Sequence, residues 1–316
     1  MSAYLLRRLG TSIVILIGIS IFIFGMLHII FPSPAIIALG PRANSVLIKA
    51  WNREHGYDKP AIVQYLDYMK GLVFHHYLGY SYKLNQSVAA LFQERWARSA
   101  YLSGTALVLS VLIAVPLGIY QAVKRNTLGD NAATTVAFVL YAMPDFFLYL
   151  IAIAVFALTF HLFSYEASQS TSVVTVVLDV RAMALPILSL TALQVAGYSR
   201  YMRSSAMDSL AQDYIKAARA KGLPERLVLL RHLVRNACLP MVTLIGLSIP
   251  ALLSGNLIAE VVFNYQGLGL LFYDSLQNED YTVLLAYTLL GALLTVAGNL
   301  VADVALTVAD PRIRLS

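Results

Sequence analysis

Apolar residues in this chain come in long uncharged blocks, not in the period-two or period-3.6 stripes of a water-soluble fold. Leu9 to Phe31 gives 23 positions without Asp, Glu, Lys or Arg. At about 1.5 Å per helical residue such a run crosses a hydrocarbon core of roughly 30 Å. Further blocks follow at about 101–123, 132–158, 182–204, 237–260 and 283–308, so the pattern predicts six spanning helices and an all-α integral membrane protein. Arg7 and Arg8 stand just before the first block, which is longer than the apolar core of a cleaved leader and reads as a retained span. Pro116, Pro144, Pro186 and Pro250 fall inside blocks. Prolines there free backbone groups that neighbours or cavity water must satisfy, as at bends around a pathway, although proline is also common in ordinary membrane helices.

The polar positions divide the chain into residues 1–31 (N-terminus and first span), 32–97 (an extracytoplasmic subdomain) and 98–316 (a five-span core). The 32–97 stretch is too long for a plain connection and predicts structure of its own, helical around Ile62–Val73. It carries Tyr65, Tyr68, Tyr77, Tyr80 and Tyr82, a possible contact surface for a delivery protein or a simple cap on the spans. His75 and His76 read as surface residues, since no further ligand follows at metal-binding spacing.

Charge sharpens this picture. Only 13% of residues are charged, against about a quarter in soluble domains. The net charge of +6 is distributed as a membrane protein distributes it, which argues against nucleic acid as a partner. Arg7, Arg8, Lys124, Arg125, the seven basic residues of 203–235, Arg312 and Arg314 fall on one face. The 261–282 segment opposite has no Lys or Arg and holds Asp274, Glu279 and Asp280. Basic residues mark the cytoplasmic side, so both termini are expected there. Cys238 is the single cysteine, which excludes an internal disulfide or a cysteine metal cluster. No phosphate-binding loop motif is present, so no cofactor or nucleotide is expected on this chain.

Two sets of residues are candidates for chemistry. The first is a hairpin at 205–236 between two spans. A short helix from Asp213 through Lys216, Ala217, Ala218, Arg219 and Lys221 is expected to stop at Gly222. Pro224 suits the first turn of the next helix, with Glu225 and Arg226. Anionic lipid headgroups would also suit the basic side chains, but lipid binding has no use for the small ones. The second set is polar residues inside blocks, where a bare charge is costly: Asp145, Gln194, Asn256 and Glu260, read as lining a translocation path. For Asp145 the alternative is a buried structural carboxylate bonded to neighbouring backbone or to Tyr141. Arg200 and Asp303, at comparable depth, read as an interhelical pair with a structural or gating role.

Ala217-Ala218 followed by Gly222 resembles the EAA loop through which ABC-importer permeases touch their ATPases. Arg231-His232, Arg235-Asn236 and Leu239-Pro240 are similar to the dipeptide, oligopeptide and nickel branch. The family's Glu position holds Lys216 here, and Pro240 lies further from Gly222 than in the general spacing. The likeness covers nearly the whole chain: Tyr4 to Arg8, Asp58-Lys59-Pro60 with Gln64-Tyr65-Leu66, Val115-Pro116-Leu117-Gly118, and Met143-Pro144-Asp145-Phe146. It continues through Glu260-Val261-Val262-Phe263, Gly267-Leu268-Gly269, Asn299 to Asp303, and Asp310 to Arg314. Tyr265-Gln266 stands where the family often has Trp-Pro, and Asp145 where it usually has a small or uncharged residue.

The resemblance implies a type I importer fold and a transport subunit with no catalysis of its own. It implies a second, non-identical permease subunit, two cytoplasmic ATPases carrying ATP and Mg²⁺, and an extracytoplasmic solute-binding protein. The setting implied is a bacterial or archaeal plasma (inner) membrane, with membrane lipid around the spans. Peptides are the first expected solute, with a nickel chelate or other small solute behind them. Two other classes compete. A proton-coupled secondary transporter would use Asp145 or Glu260, but no inverted repeat is evident. A membrane haem protein would need His28, His161 or His232 as ligands, and these form no membrane-centred pair.

Overall fold

The computed structural model describes residues 2–31, 33–40 and 42–309; Arg312 and Arg314 and the rest of the 310–314 motif lie outside them. Among the described residues the order is α1 (Ser2–Ile30), α2 (Ala35–Leu39), α3 (Ser45–His55), α4 (Ala61–His75), β1 (Tyr80–Ser81), β2 (Gln86–Ser87), α5 (Val88–Val123), α6 (Leu128–Ala142) and α7 (Asp145–Ala152). Then come α8 (Val173–Leu178), α9 (Val180–Leu210), α10 (Asp213–Ala220), α11 (Glu225–Leu227), α12 (Val234–Ala237), α13 (Leu239–Ser254), α14 (Leu257–Val262), α15 (Leu268–Gln277) and α16 (Tyr281–Ala309). Wide π turns continue α7 over Ile153–Thr159 and join α11 to α12 over Val228–Leu233.

Among the described residues four helices, α1, α5, α9 and α16, are each long and apolar enough to cross a membrane unbroken, and two bent pairs raise the number to six when each pair is taken as one span. The core is the α5–α9 pair, with α6 and α13 packed against it and α16 against α13; α1 lies outermost on α16. The close approach of α5 to α9 is possible because position 118 has no side chain. A Cβ on Gly118 would fall 2.6 Å from the Met202 Cβ and 2.8 Å from the Ser199 carbonyl oxygen. Gly246 does the same for α13 against α16, where a Cβ would meet the Ala302 Cβ at 2.5 Å. Small residues let backbones approach where lipid provides no hydrophobic drive between helices. The outward faces of the spans carry exposed Val14, Ile29, Val108, Leu112 and Leu293, suited to acyl chains.

Two expected spans are broken. The third turns by 108° between α6 and α7. Met143 precedes a proline and takes an extended conformation (φ −81°, ψ 134°), because the Pro144 ring disfavours helix at the residue before it. Helix therefore stops at Ala142 and restarts at Asp145, and 132–158 is not one continuous helix. The fifth bends by 45° where α12 meets α13, near Pro240. It ends at Ser254, short of the expected 260, because Gly255 (φ 88°) turns the chain into the separate helix α14.

The second element of the expected subdomain boundary also moves. Ser87 caps α5, its side chain accepting from the Ala90 N–H, so residues 88–97 are the first turns of a 36-residue helix rather than the end of a loop. Within 33–87, α4 covers the predicted 62–73 helix, and an aromatic cluster forms around Trp51, stacked on His55 and Tyr57 and edge-on to Tyr82. The subdomain is tied to the spans by Tyr65, which bonds Ser20 at 2.8 Å and packs on Phe24, and by Ser81, which donates to Asp280. Burial pushes the Asp280 carboxyl up from its usual range, opposed by the Ser81 hydroxyl and the N–H groups of Val283 and Thr282. His76 ends α4 in a left-handed conformation (φ 51°).

Gly118→Leu is expected to destabilise the protein by about 3 kcal/mol through overpacking. Gly104→Ala, with nothing within 4 Å of its Cβ position, should be neutral or stabilising by about 1 kcal/mol. Denaturant unfolding in mixed micelles reads both, and equal effects would refute this account of the helix crossing.

Candidate functional site

Between α9 and α13 the chain leaves the spans and folds into the hairpin. Gln212, extended, precedes α10, and Asp213 sits in its first turn, where a negative charge suits the helix dipole. Lys216 pairs with Asp213 at 2.9 Å, with both side chains mostly exposed. One side of α10 is buried: Ile215 and Ala218 pack with Val228, Leu233, Met202 and Ala206. The helix ends at Ala220, and Gly222 takes φ 73°, its N–H bonding the Arg219 carbonyl at 2.9 Å. Arg219 then grips Glu225 with two bonds, at 2.6 and 3.1 Å, closing the turn. Pro224 occupies the N-cap of α11, one residue earlier than the expected first-turn position.

The hairpin thus presents Asp213, Lys216, Ala217, Arg219, Lys221, Gly222, Glu225 and Arg226 to the outside, while Ala218 faces inward. Ala218 therefore belongs to the packing beneath α10 and not to the outer surface. Gly222 is needed for its backbone, at φ 73°, because nothing among the described residues lies within 4 Å of where its Cβ would be. Residues 205–210 are the end of α9, so the hairpin proper begins after Leu210.

Above the hairpin lies a buried ion pair that the sequence did not reveal. Asp130, 1% exposed, accepts two bonds from Arg203, each 2.9 Å, together with the Thr134 hydroxyl at 3.1 Å and the Asn126 N–H at 3.0 Å. A planar guanidinium on a carboxylate fixes α6 to α9 in one geometry. One turn away Arg200 lies 4.4 Å from the ring centres of both Phe138 and Tyr141. Asp303 instead pairs with Arg8 at 2.9 Å, so the expected Arg200–Asp303 pair is not formed. The reason is topological: α9 packs on α5 and α6, whereas α16 packs on α13 and α1.

The remaining intramembrane candidates separate. Gln194 accepts from Ser110 at 2.9 Å and bridges α9 to α5 midway. Asp145 is exposed at the α6–α7 break and receives no side-chain hydrogen bond or ion pair among the described residues; Tyr141 is engaged with Arg200 instead. Asn256 caps α14, accepting from the Ala259 N–H at 3.0 Å. Glu260 does not line a path. It is fully buried, and each carboxylate oxygen is occupied. Oε1 accepts from the Ser99 hydroxyl (2.7 Å) and the Asn256 N–H (3.2 Å), Oε2 from the Gly269 (2.7 Å) and Leu270 (3.1 Å) N–H groups. Ser99 in turn accepts from the Leu268 N–H at 2.8 Å. A Cβ on Gly255 or Gly267 would collide with this carboxylate, which explains glycine at both positions. The apolar run 237–260 concealed this, because a carboxylate at its end resembles one that faces a pore.

Comparison with known proteins identifies the architecture. The family described as "Binding-protein-dependent transport system inner membrane component" matches residues 114–315, and its N-terminal companion family matches residues 1–103. The chain belongs to this family. It is 33% identical to the oligopeptide transport system permease protein AppB of Bacillus subtilis (strain 168), over 99% of both chains. It is 34% identical to the dipeptide transport system permease protein DppB of Escherichia coli (strain K12), again over 99% of each. Identity to the glutathione transport system permease protein GsiC of Escherichia coli O6:H1 is 33% over 98% of each. The protein is therefore a multi-pass permease subunit of an ABC importer with the type I permease fold, and not an enzyme.

In this permease the Glu260 cluster joins α5, α14 and α15 at one end of the bundle. Glu260→Gln replaces an acceptor oxygen with a donor facing N–H groups, and should cost about 1–3 kcal/mol. Limited proteolysis is expected to cut the 255–270 segment faster in this variant; an unchanged pattern would show that the four bonds do not hold it.

Proposed function

We propose that this permease carries di- or oligopeptides inward, as one of two non-identical membrane subunits served by two cytoplasmic ATPases and an extracytoplasmic solute-binding protein. The observation that carries the coupling role is the one-sided packing of α10. Ile215 and Ala218 root it in the core, and Lys216, Ala217 and Arg219 are left exposed beside the Gly222 turn. A small side chain such as Ala217 flanked by charges lets a groove on a partner approach closely. ATP and Mg²⁺ belong on the partners in this reading, since the chain offers no phosphate-binding loop. Support for peptide as solute comes from the relatives named above, whose printed names include oligopeptide, dipeptide and glutathione transport.

The orientation proposed places both termini and the hairpin in the cytoplasm of a bacterial or archaeal cell. Arg8, Lys124, Arg125 and the basic hairpin share one side, and 261–282 is without a Lys or Arg on the other.

Ala217→Trp carries no backbone strain, so its effect isolates docking from folding. It should weaken ATPase association about tenfold or more while leaving membrane insertion intact. Gly222→Trp should also uncouple hydrolysis from transport, with an added strain cost from φ 73°. The measurement is ATP-dependent uptake of labelled dialanine by proteoliposomes holding the co-purified complex and its binding protein. Normal uptake by Ala217→Trp would refute the docking face, and uptake without ATP would favour a proton-coupled transporter.

A further inference from the structure

A cavity of about 410 Å³ opens between α6 and α9, on the hairpin side of the Ser110–Gln194 bridge. Its wall includes two arginines in different states. Arg203 is committed to the buried Asp130 carboxylate by both of its bonds. Arg200 has no anionic partner and makes no hydrogen bond among the described residues; its guanidinium is held by the rings of Phe138 and Tyr141 alone. Aromatic faces hold a guanidinium in place without consuming its N–H donors, and such contacts gain strength away from water. A cation held in this way inside a spanning helix is expensive unless something anionic visits it.

A second group on the same wall is also incomplete. Gln121 is 1% exposed, and its amide nitrogen donates to Thr134 at 3.1 Å. Its Oε1 is buried with no partner among the described residues, and lies beneath the wall, out of reach of a solute. What the wall offers a solute is the Arg200 guanidinium, with at most five N–H donors, and Ser204 exposed beside it. Such a set of donors suits a small solute bearing a carboxylate, and a free amino acid or peptide C-terminus carries one.

We propose that this cavity is an anion subsite on the transport path, in which Arg200 receives the carboxylate of the solute. The proposal rests on the peptide-importer reading above for the identity of the solute, but not for the anion subsite itself. Aromatic clamping keeps Arg200 in one place, so the charge does not collapse onto Asp130 or the headgroups when the site is empty.

Cysteine labelling tests it without relying on transport. The chain has one native cysteine, so in a Cys238→Ser, Ser204→Cys form this subunit carries its only thiol beside the cavity, and labelling is read on this subunit after its separation from the partners. In the assembled transporter in phosphatidylcholine nanodiscs, an anionic sulfonate thiosulfonate should react faster than its trimethylammonium counterpart. Adding Arg200→Gln should lower that rate ratio about fivefold, the scale of one nearby charge in a watery site. Arg200→Lys, which keeps the charge, should retain the preference. Millimolar dialanine should slow the anionic reagent, and dialanine amide should not. An unchanged ratio in Arg200→Gln overturns the proposal. Protection by phosphatidylglycerol, with none by dialanine or acetate, assigns the cavity to lipid phosphate and overturns it as well. A thiol that reacts in the full chain alone but in neither charge form after assembly means the second permease fills the cavity, which also overturns it. Protection by acetate but not by dialanine upholds the anion subsite and refutes the peptide solute.

Discussion

Close contact between α5 and α9 is the constraint on which the rest of the molecule hangs. It is made possible by Gly118, whose missing side chain admits Met202 and the Ser199 carbonyl. Ser110 to Gln194 ties this pair directly; to either side Ser99 of α5 holds Glu260 of α14, and Arg203 of α9 holds Asp130 of α6. In lipid, where apolar contact between helices brings little net gain, such ties and small-residue crossings set the geometry. The two outer ties each bring in a further element. Glu260 gathers α14 and α15, and Asp130 brings in α6.

The spans and the stop at Gly222 were legible because each rests on a local rule: an uncharged block and a left-handed glycine. The break at Met143-Pro144 was legible as a proline but not as a 108° turn, since block hydropathy continues across it and carries no directional information. Gly255 was hidden in the same way inside an apolar run. Depth along the chain suggested Arg200 with Asp303, but depth does not say which helices touch. Asp130 illustrates the opposite difficulty: a carboxylate in the first turn of a helix satisfies a capping rule by itself, so nothing local points to Arg203 on another helix. Glu260 looked like a pore residue because an isolated sequence cannot distinguish a buried carboxylate met by backbone N–H groups from one met by solute.

The two ends of the bundle solve the problem of charge in apolar surroundings differently. Glu260 is surrounded by donors that come largely from the backbone of its own loop, so it is satisfied at once when that loop folds. Arg203 and Asp130 satisfy each other across helices. Arg200, between these two arrangements, is held by rings and retains its donors. A permease must move solute without binding it tightly, and a cation restrained in position but left unneutralised fits that need.

The packing beneath the hairpin has a mechanical consequence. Ile215 and Ala218 of α10 share one buried cluster with Ala122 of α5, Met202 and Ala206 of α9, and Met241 of α13. Interiors packed at crystal-like density do not compress, so a push on α10 is not absorbed locally. It arrives at three spans together, as a displacement without backlash. Whatever elastic give the subunit has must then reside far from the hairpin, at the Met143-Pro144 elbow and the Gly255 turn, where the helices are interrupted.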